Sequence, residues 1–226
     1  MTKFHDMGGR TCNEAICRTG REVNVFEREW HARALAATLA AGMLGAWNID
    51  ASRHARECLA EEDHGKLSYY EIWMAALANL LVRSGLVTRS ELANPANADK
   101  VPLSASAAKA WQVDGILNKG SPTARESGNA PRFHLGQTVR ASHPHSNRFL
   151  KGGHTRLPHY VQGRTGTICR SGEAHILPDS NAHYLGEQPE HLYSVRFSMA
   201  QLWQGDAERS DDEVVLDLWE SYLEAA

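Results

Sequence analysis

Two hydrophobic rhythms divide the chain. Between Phe26 and about Trp47, the residues Phe26, Trp30, Leu35, Leu39, Met43 and Leu44 recur at roughly three-to-five-residue steps over an alanine-rich background, which predicts a helix. Asn48-Ile49-Asp50 offers N-cap candidates for a short helix running to about Leu59. Ser68-Tyr69-Tyr70-Glu71 has capping-box spacing and opens a helix through about Ser84, which Gly85 ends; Tyr70, Trp73, Leu77, Leu80 and Leu81 form its apolar stripe. A second box, Thr88-Arg89-Ser90-Glu91, predicts one more short helical turn. After Pro131 the period becomes two. Leu135 to Ala141 reads as a turn and a strand, Thr167 to Arg170 as another, and Tyr193, Val195, Phe197 and then Val214, Leu216, Leu218 alternate with their neighbours.

These elements predict an α+β chain: a helix bundle in the N-terminal half followed by a small SH3-like antiparallel β-barrel. The expected divisions are an extended arm over 1–25, a helical domain over 26–92, a linker over 93–131 and the barrel over 132–226. The linker is punctuated by Pro95, Pro102, Gly120, Pro122, Gly128 and Pro131 and has room for one helix between Ala105 and Leu117, anchored by Trp111 and Ile116 or Leu117.

Composition narrows the class. With 226 residues, 42% apolar, 23% charged and a formal net charge of −3, the chain reads as globular, with no global basicity to draw nucleic acid or an anionic membrane. The start has no apolar signal-peptide core, and the most apolar run, around Ala34 to Ala46, is too short to span a bilayer. A cytoplasmic location is expected. Cys12, Cys17, Cys58 and Cys169 form no CxxC pair and no zinc spacing, so free thiols and no metal site of the chain's own are expected.

Candidate chemistry gathers in Gly152-Gly153-His154-Thr155-Arg156-Leu157-Pro158-His159-Tyr160. Pro158 pushes Leu157 toward an extended form, and if 154–156 are extended too, His154 and Arg156 project to one side. An arginine fork held there suits a pair of acidic oxygens. Arg53 and Glu57, four apart on a predicted helix, share a face and by themselves read as a solvated ion pair. The segment from Arg132 to Arg170 is locally basic, which keeps open a KOW-type nucleic-acid-binding barrel, although Phe133, Phe149 and Tyr160 are sparse aromatics for stacking. No Walker loop, dinucleotide fingerprint, GxSxG elbow, HExxH or catalytic cysteine signature is present.

Several blocks resemble nitrile hydratase β subunits, in order and over nearly the whole length. They are Phe4-His5-Asp6-Met7-Gly8-Gly9, Asp50-Ala51-Ser52-Arg53 with Glu57, Tyr69-Tyr70-Glu71, Gly153 to Tyr160 with Gly163-Arg164-Thr165-Gly166, Glu190 to Phe197, and Val215 to Leu223. The resemblance implies an obligate α partner that holds Co(III), or alternatively Fe(III), in a claw of backbone amides and oxidised cysteines. It implies an αβ unit pairing into α2β2 that hydrates small nitriles to amides, with no cofactor bound by this chain alone. In such a lyase, Arg53 and Arg156 match the arginines that hydrogen-bond the claw's sulfenate and sulfinate oxygens. Glu57 and His154 match positions that orient this network, and Trp47, Tyr69 and Trp73 match positions along the substrate channel. A β-like component of thiocyanate hydrolase is the related alternative. The chain departs from the family pattern between Arg10 and Gly20, at Ile72, where relatives often carry histidine, and at Leu35, where some carry a pocket tyrosine.

Overall fold

A computed structural model describes residues 26–94, 96, 98, 108–142, 147–203 and 209–226. The expected arm over 1–25 lies outside the described residues. The chain resolves into two compact units, a helical one that ends at Ser121 and a β unit from Pro122 to Ala226. Each has its own core.

The helical unit carries α1 (Glu29–Gly42), α2 (Ile49–Glu57), α3 (Glu61–Lys66), α4 (Tyr69–Arg83), α5 (Arg89–Ala93) and α6 (Val113–Lys119). The helix expected through Trp47 stops at Gly42: Gly45 takes φ +72°, and Asn48 begins the next helix by accepting the Ala51 N–H at 2.8 Å. Both capping boxes form. Glu71 accepts from the Ser68 N–H at 2.7 Å and hydroxyl at 2.6 Å; Glu91 accepts from the Thr88 N–H at 2.6 Å while Thr88 Oγ1 accepts the Glu91 N–H at 3.2 Å. Gly85, at φ +67°, follows the end of α4. The linker helix begins with a 3₁₀ turn at Ala110–Gln112 and runs on to Lys119; Trp111, expected as an anchor, is 81% exposed. α3 had no apolar period to announce it, but its acidic first turn and its His64 and Lys66 in the last turn match the helix dipole.

α4 packs on α1 and α2. Ala51 and Ala55, one turn apart, give α2 a smooth face against Ala76, Leu77 and Leu80, and Trp47 closes the end of this core. Burial of each leucine contributes about 2 kcal/mol.

The β unit holds β1 (Ala124–Arg125), β2 (Thr138–Ala141), β3 (Thr165–His175), β4 (Glu190–Ser198), β5 (Glu213–Trp219) and β6 (Leu223–Ala225), with short helices α7 (Pro178–Asn181) and α8 (Met199–Trp203) between strands. The strands form one antiparallel sheet in the order β5-β4-β3-β2-β6, with β1 also on β3. The expected barrel is therefore an open sheet among the described residues, because β5 and β6 end the order and are not paired with each other. Shifts of register between Ile168 and Arg170 and between Ser171 and Ala174 mark β3 as bulged, and bulges bend a strand. Its outer half, Arg170 to Glu173, is polar and exposed, which is why periodicity caught only the first residues of the strand. Val139, Ile168, Tyr193, Val195, Phe197, Leu218 and Tyr222 fill the core, with Leu157 and Val161 contributed by the loop before β3. Gly166 is required on β3, since a Cβ there would meet Val195 Cγ1 at 2.7 Å and the Arg196 carbonyl oxygen at 2.8 Å.

Candidate functional site

The helical contribution stands on α2. Because Asp50 falls in the first turn and Arg53 one turn later, Arg53 Nη1 donates to Asp50 Oδ1 at 2.8 Å. Asp50 is buried and Arg53 half-exposed, so the pair fixes one edge of the guanidinium. The expected i,i+4 partner of Arg53, Glu57, instead meets His54, whose Nδ1 lies 3.4 Å from Glu57 Oε2. On the other edge of that ring, Cys58 Sγ is 3.3 Å from Nε2. Cys58 and then Glu57 favour the imidazolium strongly enough to outweigh burial, and the His54 pKa is pushed up to about 9.

Next to these charges is an aromatic surface. Tyr69 is 63% exposed, its ring 5.4 Å from that of Trp73. Arg56 lies over Trp73 with its guanidinium carbon 4.5 Å from the ring centre. Tyr70 joins the group to Trp30 and His31. Trp47 is a core side chain of this unit, and Ile72 and Leu35 are half-buried.

In the β unit, the loop before β3 is held by buried polar groups distant in sequence. Asn147 uses its whole amide: Oδ1 accepts the N–H groups of Phe149 and Leu150 at 2.8 and 2.9 Å, and Nδ2 donates to the carbonyls of His154 at 2.5 Å and Asp179 at 2.8 Å. The His154 N–H donates to His183 Nε2 at 2.9 Å, so that nitrogen carries no proton. The Arg156 N–H donates to the hydroxyl of Tyr222 at 3.1 Å, and that hydroxyl in turn donates to Asp179. Burial first, and then the Asp179 charge, raise the Tyr222 pKa well above the usual phenol range. Gly153 is dictated by this packing: a Cβ would fall 2.7 Å from His183 Nε2 and 2.8 Å from Asn147 Cγ. Leu157 drives into the core and Pro158 leads into a 3₁₀ turn over His159–Val161.

The result is a basic side chain on a fixed backbone. Arg156 is exposed while His154 is buried, with Leu157 buried again three residues on. Asn147, Asp179, His183 and Tyr222 were not singled out in the sequence as site residues, because they come from separate segments that only folding brings together.

Comparison with known proteins agrees with the blocks. A family model described as nitrile hydratase beta subunit, N-terminal, matches residues 1–118, and one described as nitrile hydratase beta subunit, C-terminal, matches 122–225. The nitrile hydratase subunit beta of Pseudomonas putida is 31% identical over the full length of both chains. A cobalt-containing nitrile hydratase subunit beta from Pseudonocardia thermophila is 33% identical over 99% of this chain and 96% of its own. A low-molecular weight cobalt-containing relative from Rhodococcus rhodochrous is 30% identical over 99% of both. Among solved structures, apo thiocyanate hydrolase of Thiobacillus thioparus aligns with 56% of this chain and all of its own at 25% identity, with a TM-score of 0.41. Similarity over the full length to the beta subunits of nitrile hydratases makes this chain a subunit of a lyase. It belongs to the nitrile hydratase beta-subunit family.

Proposed function

We propose that the chain is the β half of a nitrile hydratase, joining an α subunit as αβ and α2β2 in the cytoplasm to convert small nitriles to amides. In this reading the β unit is the family's SH3-like barrel, curled by the bulges of β3. The observation that carries the proposal is the anchored loop: Tyr222 and Asp179 fix the backbone of Arg156 while its guanidinium stays exposed. An exposed fork on a rigid base fits anionic oxygens supplied by another chain.

The family's metal, cobalt or iron, belongs to the α subunit, and cobalt is favoured here because relatives named as cobalt-containing are similar to this chain over nearly all its length. When bound there, the metal supplies Lewis acidity toward the nitrile. This chain's donors fit such a neighbour. Arg53 and Arg156 donate N–H groups to the sulfenate and sulfinate oxygens of the partner's claw, holding them ionised and oriented. Arg53 retains donors for this because Asp50 takes only Nη1. Glu57 and His154 orient the network and pass protons, and Trp47, Tyr69 and Trp73 border the route taken by the nitrile.

The test is Arg156→Lys and Arg53→Lys in the αβ complex. Loss of a bidentate charge-assisted contact, about 1.5–3 kcal/mol, lowers kcat by about 10- to 100-fold. Turnover within twofold of wild type for both would remove these arginines from the site. Activity on thiocyanate in place of nitriles would turn the reading to the related hydrolase.

A further inference from the structure

Arg53 and Arg56 lie one turn apart on α2, yet they are provided for differently. Arg53 has a carboxylate at 2.8 Å in Asp50. Arg56 has none within ion-pair distance among the described residues; its partner is the face of Trp73, at 4.5 Å. Beyond burial, Tyr69 favours its charge, Arg53 opposes it, and Glu57, engaged by His54, favours it least. Burial is the largest influence on Arg56 and lowers its pKa from the ordinary arginine value, as expected for a guanidinium stripped of part of its water without an anion in return. Such a charge is an unspent attraction for an anion. Tyr69, exposed and 5.4 Å from Trp73, flanks the same surface and limits the anion to one that tolerates aromatic neighbours.

We infer that Arg56, stacked on Trp73 beside Tyr69, is a specificity-determining residue that favours nitriles carrying a carboxylate. This rests on the reading above, in which Tyr69 and Trp73 border the nitrile's route. A planar guanidinium held over an indole presents its edge N–H groups outward, so a substrate carboxylate can take two of them while its aromatic or alkyl body lies along Tyr69. The charge acts in binding and not in the chemical step, so its effect falls on KM.

The experiment compares 4-cyanobenzoate with 4-nitrobenzonitrile, a neutral nitrile of nearly the same shape, in the αβ complex of wild type, Arg56→Gln and Arg56→Lys. For Arg56→Gln, the ratio of kcat/KM for the acid to that for the nitro compound falls about tenfold, the size of one charge-assisted hydrogen bond, chiefly through KM of the acid. Arg56→Lys, which keeps the charge, recovers part of the ratio. An unchanged ratio overturns the inference and leaves the proposed function standing if both nitriles are still hydrated. Equal losses for both nitriles with weaker α–β association also overturn it, since Arg56 then pairs with a partner carboxylate. A wild-type complex that hydrates neither nitrile defeats the proposed function itself.

Discussion

A single hydrogen at Gly153 decides whether the Arg156 loop closes. Alanine there would drive its methyl into His183 and Asn147, both already committed to the backbone of His154, so neither can retreat without leaving a buried polar group unsatisfied. Gly153→Ala is expected to lower unfolding free energy by about 1–3 kcal/mol in urea titrations of the whole chain. Gly152 next to it, at φ +76° with open space around its Cα, is constrained by conformation and not by crowding. The glycine pair and Pro158 were legible in the sequence as the frame of an ordered loop. The reason for Gly153 was not, because Asn147 and His183 come from separate segments and only folding puts them against it. Arg53 shows the same limit: the spacing was read as a pair with Glu57, and the folded helix pairs it with the buried Asp50.

Among the elements, those written by local rules were the most readable. α2, α4 and α5 begin at the asparagine, serine and threonine that the sequence nominated, because capping depends on residues three apart and on little else. β5 followed its alternation, and β4 did so except at Ser194, which is buried along with Tyr193 and Val195. β1 and β6 were illegible: at two and three residues they have no period, and pairing with β3 and β2 alone makes them strands. α2 also carries a pH dependence. Folding raises the His54 pKa from 6.5 to about 9, so the protonated ring adds stability that is complete below pH 6.5 and lost as pH rises through about 9. The difference in unfolding free energy between wild type and His54→Asn, measured in urea, is expected to be largest near pH 6 and to shrink steadily toward pH 10. A gap that is flat across this range would show that the imidazolium does not contribute.

At the level of the whole molecule, the chain supplies arginines, aromatics and a scaffold, and the proposed chemistry needs a second polypeptide. Expressed alone, it is expected to hydrate no nitrile and to hold no stoichiometric cobalt or iron by elemental analysis; mixing with its α subunit should restore turnover. Of its cysteines, Cys58 lies in the helical unit and Cys169 in the β unit, both free, while Cys12 and Cys17 lie outside the described residues. Among the described residues no helix is long and apolar enough to cross a membrane. The division into helices and then strands was plain from the change of period, whereas the barrel was not, since alternation tells which face of a strand is buried and says nothing of whether the first and last strands meet.

That open order has a colloidal consequence. β5 ends the sheet with Val215 half uncovered, a rim where another chain's backbone could add itself. Glu213 and Asp217 stand two residues to either side and lie beside Arg196 at 3.6 Å and Arg170 at 3.7 Å, so a second copy meeting this rim would find its charges already balanced and no like-charged row to turn it away.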